Sequence, residues 1–228
     1  MLRSILLLCG IFFTVGLSAQ QPHLVRAIAS YDTTAVTELF NTTPIGLHLI
    51  YSDSASSQTT GFLKGNLRWN KLTVTSSNGS VQNGVLQFNR QRLINDNYRI
   101  TLTVTLKDNE TVQTVLTLPR VVGIRFNLYS DSIKRGVHYY LNVEGQFSSH
   151  KVFPLDTSVL RFATSDGQLI GQDLLLPKQD TSKSIIIEAW YKPNSNYYLR
   201  TVVPVKQAPD NDSLLTDPDQ LFKKKKRN

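Results

Sequence analysis

The sequence predicts an all-β fold made of two similar β-sandwich units in tandem. Three observations carry this expectation: period-two alternation of apolar and polar residues, Asx-Gly turn signals at short intervals, and an internal repeat. The alternation is plainest where Ile100, Leu102, Val104 and Leu106 interleave with Thr101, Thr103 and Thr105. β-Branched residues in this pattern suit a pleated surface buried on one side. Asn78-Gly79, Asn83-Gly84 and Asp166-Gly167 mark turns, because glycine reaches backbone angles that other residues avoid. Ile185, Ile186 and Ile187 read as a more continuously buried run.

The repeat has three ordered matches. Tyr51, Ser52, Asp53 and Ser54 recur as Tyr129, Ser130, Asp131 and Ser132. Leu72 through Asn78-Gly79 matches Leu160 through Asp166-Gly167. The run from Ile100 to Asn109 matches that from Ile185 to Asn194. The offsets are 78, 88 and 85 residues, and they change only across expected loops. Domains are therefore expected at 21–119 and 120–207, with six or seven strands each, Trp69 and Trp190 in the cores, and Tyr51 equivalent to Tyr129. Residues 33–40, behind Asp32, are expected to form either the one helix, with Val36, Leu39 and Phe40 on one side, or an extended strand.

The ends of the chain read differently. Arg3, an apolar run over 5–17 and the small residues Ser18 and Ala19 have the layout of a signal peptide over 1–20. Cleavage is expected after Ala19 or Gln20. Cys9, the only cysteine, lies in that signal, so the mature chain should hold no disulfide and no thiol nucleophile. From 208 to 228 the composition turns to Asp, Asn, Pro and Lys, which predicts a disordered tail, acidic and then basic. Setting aside Arg3, five tail cations and four tail aspartates, the formal charge of +8 leaves +6 on the body, spread along it. That is not the concentrated basic stripe of a nucleic-acid binder, so no nucleic-acid partner is expected. Lys223, Lys224, Lys225, Lys226 and Arg227 are the expected contacts to an anionic membrane surface.

The chemical motifs are sparse. G-x-S-x-G, Walker and G-x-G-x-x-G patterns are absent, and His23, His48, His138 and His150 show no metal-ligand spacing. No catalytic residue, cofactor or metal is expected. Tyr191, Tyr197 and Tyr198, around Pro193-Asn194, are the expected surface contacts, because an exposed tyrosine edge suits carbohydrate or protein.

Strand count, turn spacing and the Ser165-Asp166-Gly167 turn followed by Leu169, Ile170 and Gly171 resemble the immunoglobulin-like sandwiches of exported bacterial proteins. The resemblance implies a non-enzymatic binding or structural module of the cell envelope, in the periplasm, on the outer surface or secreted. Its partner would be an envelope protein or carbohydrate. Asp-Ser followed by a small or aliphatic residue also resembles an O-glycan acceptor pattern of exported bacterial proteins, which implies Ser54, Ser132 and Ser213 as acceptors. Two alternatives share the strand pattern: an outer-membrane β-barrel, which also alternates, and a β-sandwich hydrolase, since folds host unrelated chemistries.

Overall fold

The computed structural model describes residues 21–208. The expected signal peptide with Cys9, and the segment with Ser213 and Lys223 to Arg227, lie outside the described residues. The described chain is almost all β, in antiparallel sheets, as the alternation predicts. No sheet among the described residues closes on itself, whereas an outer-membrane barrel requires closure.

The first strands are β1 (Leu24–Tyr31), β2 (Thr42–Tyr51) and β3 (Ser56–Gln58). A single 3-10 turn over Trp69–Lys71 leads into β4 (Leu72–Ser76), β5 (Ser80–Gln82) and β6 (Val85–Gln87). Helix α1 (Arg90–Asn95) then precedes β7 (Arg99–Leu106) and β8 (Thr111–Thr117). One sheet has the order β1-β2-β6-β5 with β3 on β2, and the facing one has β4-β7-β8. Between them Ile45, Leu47, Leu49, Leu86, Ile100, Leu102, Val104 and Leu116 form one buried core.

The pattern then recurs. Strands β9 (Val121–Phe126), β10 (His138–Tyr140), β11 (Val143–Phe147) and β12 (Val152–Leu155) take the places of β1 to β3. Strands β13 (Leu160–Thr164), β14 (Gln168–Ile170), β15 (Asp173–Leu175), β16 (Ser184–Tyr191) and β17 (Tyr198–Pro204) take those of β4 to β8. Register makes the equivalence strict. Leu72 faces Leu106, and their counterparts Leu160 and Tyr191 face each other. Both copies also break register at one place. Leu24 pairs with Tyr51 and Arg26 with Ile50; Val121 pairs with Phe147 and Gly123 with Gln146. A bulge is a specific local device, so its recurrence is stronger than any shared turn.

That register corrects one match. Tyr51 is equivalent to Phe147, and Tyr129 lies in the loop after β9. The repeated Tyr-Ser-Asp-Ser is a coincidence of loop chemistry, whereas the other two matches fall on equivalent strands. The helix over 33–40 is also absent. Its residues form successive turns, with Phe40 N–H donating to Val36 O at 3.0 Å. Thr33, Thr34, Val36 and Thr37 are β-branched and propagate a helix poorly. The helix that does form, α1, starts at Asn89, whose side chain accepts from Arg92 N–H at 3.1 Å. Ile186 is only half-buried, so β16 alternates like its neighbours.

Gly79 and Gly167 occupy equivalent turns at φ +82° and +85°. A Cβ on Gly79 would lie 1.8 Å from Gln87 O, whereas on Gly167 the nearest atom is Leu176 Cδ2 at 2.7 Å, the end of a flexible side chain. Left-handed backbone costs a non-glycine residue about 1–2 kcal/mol. Gly167→Ala should therefore lose about 1–2 kcal/mol in denaturant unfolding, and Gly79→Ala more, because backbone must move. Equal losses would contradict the difference in packing.

Candidate functional site at the junction of the two copies

The loop between β1 and β2 joins the copies. Asp32 starts it with an Asx turn: its Oδ1 accepts from Thr34 N–H at 2.9 Å and from Thr34 Oγ1–H at 2.7 Å. Those bonds hold the Asp32 carboxyl below the usual carboxylate range. The turns that follow push Val36 away from the first copy. It is fully buried among Val121, Val143, Phe147, Leu155, Leu160 and Tyr191, all in the second copy. Burying a side chain of this size contributes about 1.5–3 kcal/mol.

Glu38 follows it inward and is 5% exposed. Its Oε1 accepts from Tyr191 Oη at 2.7 Å and from Tyr98 Oη at 3.5 Å, and its Oε2 from Thr37 Oγ1 at 2.9 Å. Three hydroxyls thus meet the carboxyl, drawn from the loop, the turn between α1 and β7, and β16. Burial pushes the Glu38 carboxyl above its ordinary range, because the charged form loses water, and the hydroxyls only partly offset this. Burial and the adjoining carboxylate push Tyr98 up to about 12 and raise Tyr191 strongly. A cavity of about 50 Å³ adjoins Glu38, bounded by Arg90, Ile94, Tyr98 and Pro193. Arg90 Nε also donates to Phe40 O at 3.2 Å, closing the loop's far end.

The structure places the expected surface tyrosines unevenly. Tyr191 is corrected outright: it is 2% exposed and belongs to the junction. It shares parity along β16 with Ile185, Ile187 and Ala189, which line the core. Tyr197 is half-buried against it, with ring centres 6.1 Å apart. Tyr198 is 42% exposed, as expected, and sits 5.1 Å from Trp190. Trp190 points away from the core, contrary to expectation, while Trp69 packs against the first core. Arg161 lies over the Trp190 ring at 4.3 Å, and Tyr198 Oη donates to Glu188 Oε1. This outer ladder is therefore occupied by its own members. Ser54 is exposed in the turn after β2, and Ser132 is half-buried. Among the described residues no three His, Asp or Glu side chains converge to hold a metal ion.

Sequence reasoning did not single out Glu38 or Tyr98. The available signal was a carboxylate set between Val36 and Leu39-Phe40, where a solvated loop would carry no apolar flanks.

No family model matches the chain, and no curated protein matches it. Solved structures give weak likenesses. One is to the N-terminal part of the bacterial S-layer protein SbsC, with a TM-score of 0.31, 13% identity and 82% of this chain covered. Another is to the C-terminal 282-residue fragment of intimin in complex with the intimin-binding domain of the translocated intimin receptor, at 0.28, 11% and 81%. A third is to the mouse nectin-like molecule 4 ectodomain, Ig1–Ig3, at 0.27, 13% and 81%. This chain spans 45% of the first structure and 64% of each of the others. Likenesses at these scores carry no argument about function.

The buried carboxyl gives a pH signature. A raised folded-state pKa means that the folded protein holds the Glu38 proton more tightly than the unfolded chain does. Its contribution is full below the unfolded carboxyl pKa and is lost as pH rises through the folded one. The melting temperature of the wild type minus that of Glu38→Gln should thus fall as pH rises from the ordinary carboxyl range. A difference that stays constant with pH would show that Glu38 does not titrate with folding.

Proposed function

We propose that the chain is an exported, non-enzymatic module of the cell envelope that acts as a rigid spacer carrying a binding surface. In this reading residues 21–119 and 120–207 are two immunoglobulin-like sandwich domains. The observation that carries it is the junction: Val36 and Glu38 of one copy complete the core of the other. A flexible linker would need neither. A two-unit rod joined through shared core has a fixed length and orientation, which suits a protein that holds something at a set distance from a surface. The basic run from Lys223 to Arg227 supplies a reversible contact to an anionic surface in the same reading, at about 1 kcal/mol per residue near the membrane. The partner at the other end is an envelope protein or carbohydrate.

Small-angle scattering tests the spacer. The wild type should give one extended shape with a narrow range of lengths. Val36→Asp places a charge in the second core and should broaden that range, with new protease cleavage near 119–121. Val36→Ala should cost about 1–3 kcal/mol of stability while keeping the shape. A wild type as variable in length as Val36→Asp would contradict the spacer.

A further inference from the structure

Because the copies share one register, their exposed positions can be compared directly. Tyr140 pairs with Asp173, and the equivalent pair in the first copy is Pro44 with Val85. An aromatic residue therefore stands on the outer face of the second copy where the first has none. Tyr129 lies beside it, with ring centres 6.1 Å apart and planes inclined by 29°. Tyr129 is 76% exposed, so its ring contributes little to the core.

The ring is nonetheless held in place. Asn127 N–H donates to Asn142 O at 2.9 Å, and Tyr139 Oη donates to Ser130 O at 2.5 Å. These bonds pin the loop on either side of Tyr129. Asn142 Nδ2 donates to Tyr129 Oη at 3.5 Å, and Tyr140 Oη donates to Gln172 Oε1 at 3.4 Å. Asn142 is only 3% exposed, yet its Oδ1 accepts no hydrogen bond. That amide lies beneath the patch, where it anchors the Tyr129 hydroxyl from inside.

The charges bonded into the patch are already matched. Arg125 Nη2 lies 2.7 Å from Glu144 Oε2, and Asn127 Nδ2 donates to Glu144 Oε1 at 2.7 Å. A phosphate polymer needs cations to spare, which this arrangement does not offer. The ligand that fits is neutral, flat on one face and hydroxylated at its rim. A pyranose ring has that form: C–H bonds for the tyrosine face, and hydroxyls at the rim for the phenol groups of the exposed Tyr129 and Tyr140.

We propose that Tyr129 and Tyr140 form a binding subsite for a neutral saccharide, with a pyranose ring stacked on Tyr129. The site lies away from the junction and does not depend on the spacer reading. Preorganisation of the ring means that little ordering is required on binding.

Native affinity electrophoresis through gels containing laminarin, mannan or dextran tests the site. The wild-type chain should be retarded by at least one of these polymers. Tyr129→Ala should weaken that retardation roughly tenfold, the equivalent of about 1.4 kcal/mol. Tyr129→Phe keeps the ring and should retain most of it. Trp190→Ala, on the other outer face, should leave it unchanged. Tyr129 is exposed, so its variants should melt with the wild type and keep its scattering profile, which separates this result from any failure of the spacer. No retardation of the wild type by any of the three polymers would overturn the proposal, as would equal retardation of Tyr129→Ala.

Discussion

The structure depends on one exchange between its halves: the loop after β1 leaves its own copy and fills the core of the next. Val36 is the apolar part of that exchange and Glu38 the polar part. They act in opposite directions. Burial of Val36 is favourable by about 1.5–3 kcal/mol. Burial of a carboxyl is unfavourable unless it is neutralised or fully bonded. The hydroxyls of Tyr191, Tyr98 and Thr37 reduce that cost, and a raised pKa removes more of it by favouring the protonated form. What the carboxyl gives in return is direction. Its bond to Tyr191 ties the loop to a single position on β16, whereas apolar contact alone is tolerant of sliding.

The recurring strand pattern lets the loop be compared at its two occurrences. In the second copy the loop after β9 carries Ile133, which forms a parallel bridge with Val205 just past the end of β17. There the loop stays with its own copy, and Arg135 seals that end by donating to the carbonyls of Asp180, Ser182 and Lys206. The same loop position therefore joins units in one copy and closes a unit in the other. The two copies keep their core pattern and diverge in loops and outer faces, as the contrast of Pro44 with Tyr140 also shows.

Strands were legible because their signal is local. Ile100, Leu102 and Val104 alternate with threonines, and all three are buried. Turns were legible because Gly79 and Gly167 carry a backbone geometry that few residues can adopt. The facing of Tyr191 could have been read from the parity of Ile185 and Ile187, but Ile186 between them concealed it. The junction was not legible in the same way. Val36, Leu39 and Phe40 look like a helix face because the groups that bury Val36 lie more than eighty residues further on. Spacing within a loop says that an apolar residue is buried, not what buries it. The exposed pair Tyr129 and Tyr140 was missed for a related reason: β10 and the loop before it are brought together only by the fold.

If the first copy completes the core of the second, neither should unfold alone. The chain has two tryptophans, one in each copy: Trp69 beside the first core and Trp190 on the outer face of the second. Trp190→Phe leaves fluorescence that reports the first copy, and Trp69→Phe leaves fluorescence that reports the second. Urea unfolding of each variant, followed by fluorescence and by far-ultraviolet circular dichroism, measures the coupling directly. A shared core predicts that both signals of each variant move in one transition with one midpoint. A Trp190 signal that is lost while the first copy stays folded, or a two-step circular dichroism curve, would contradict it.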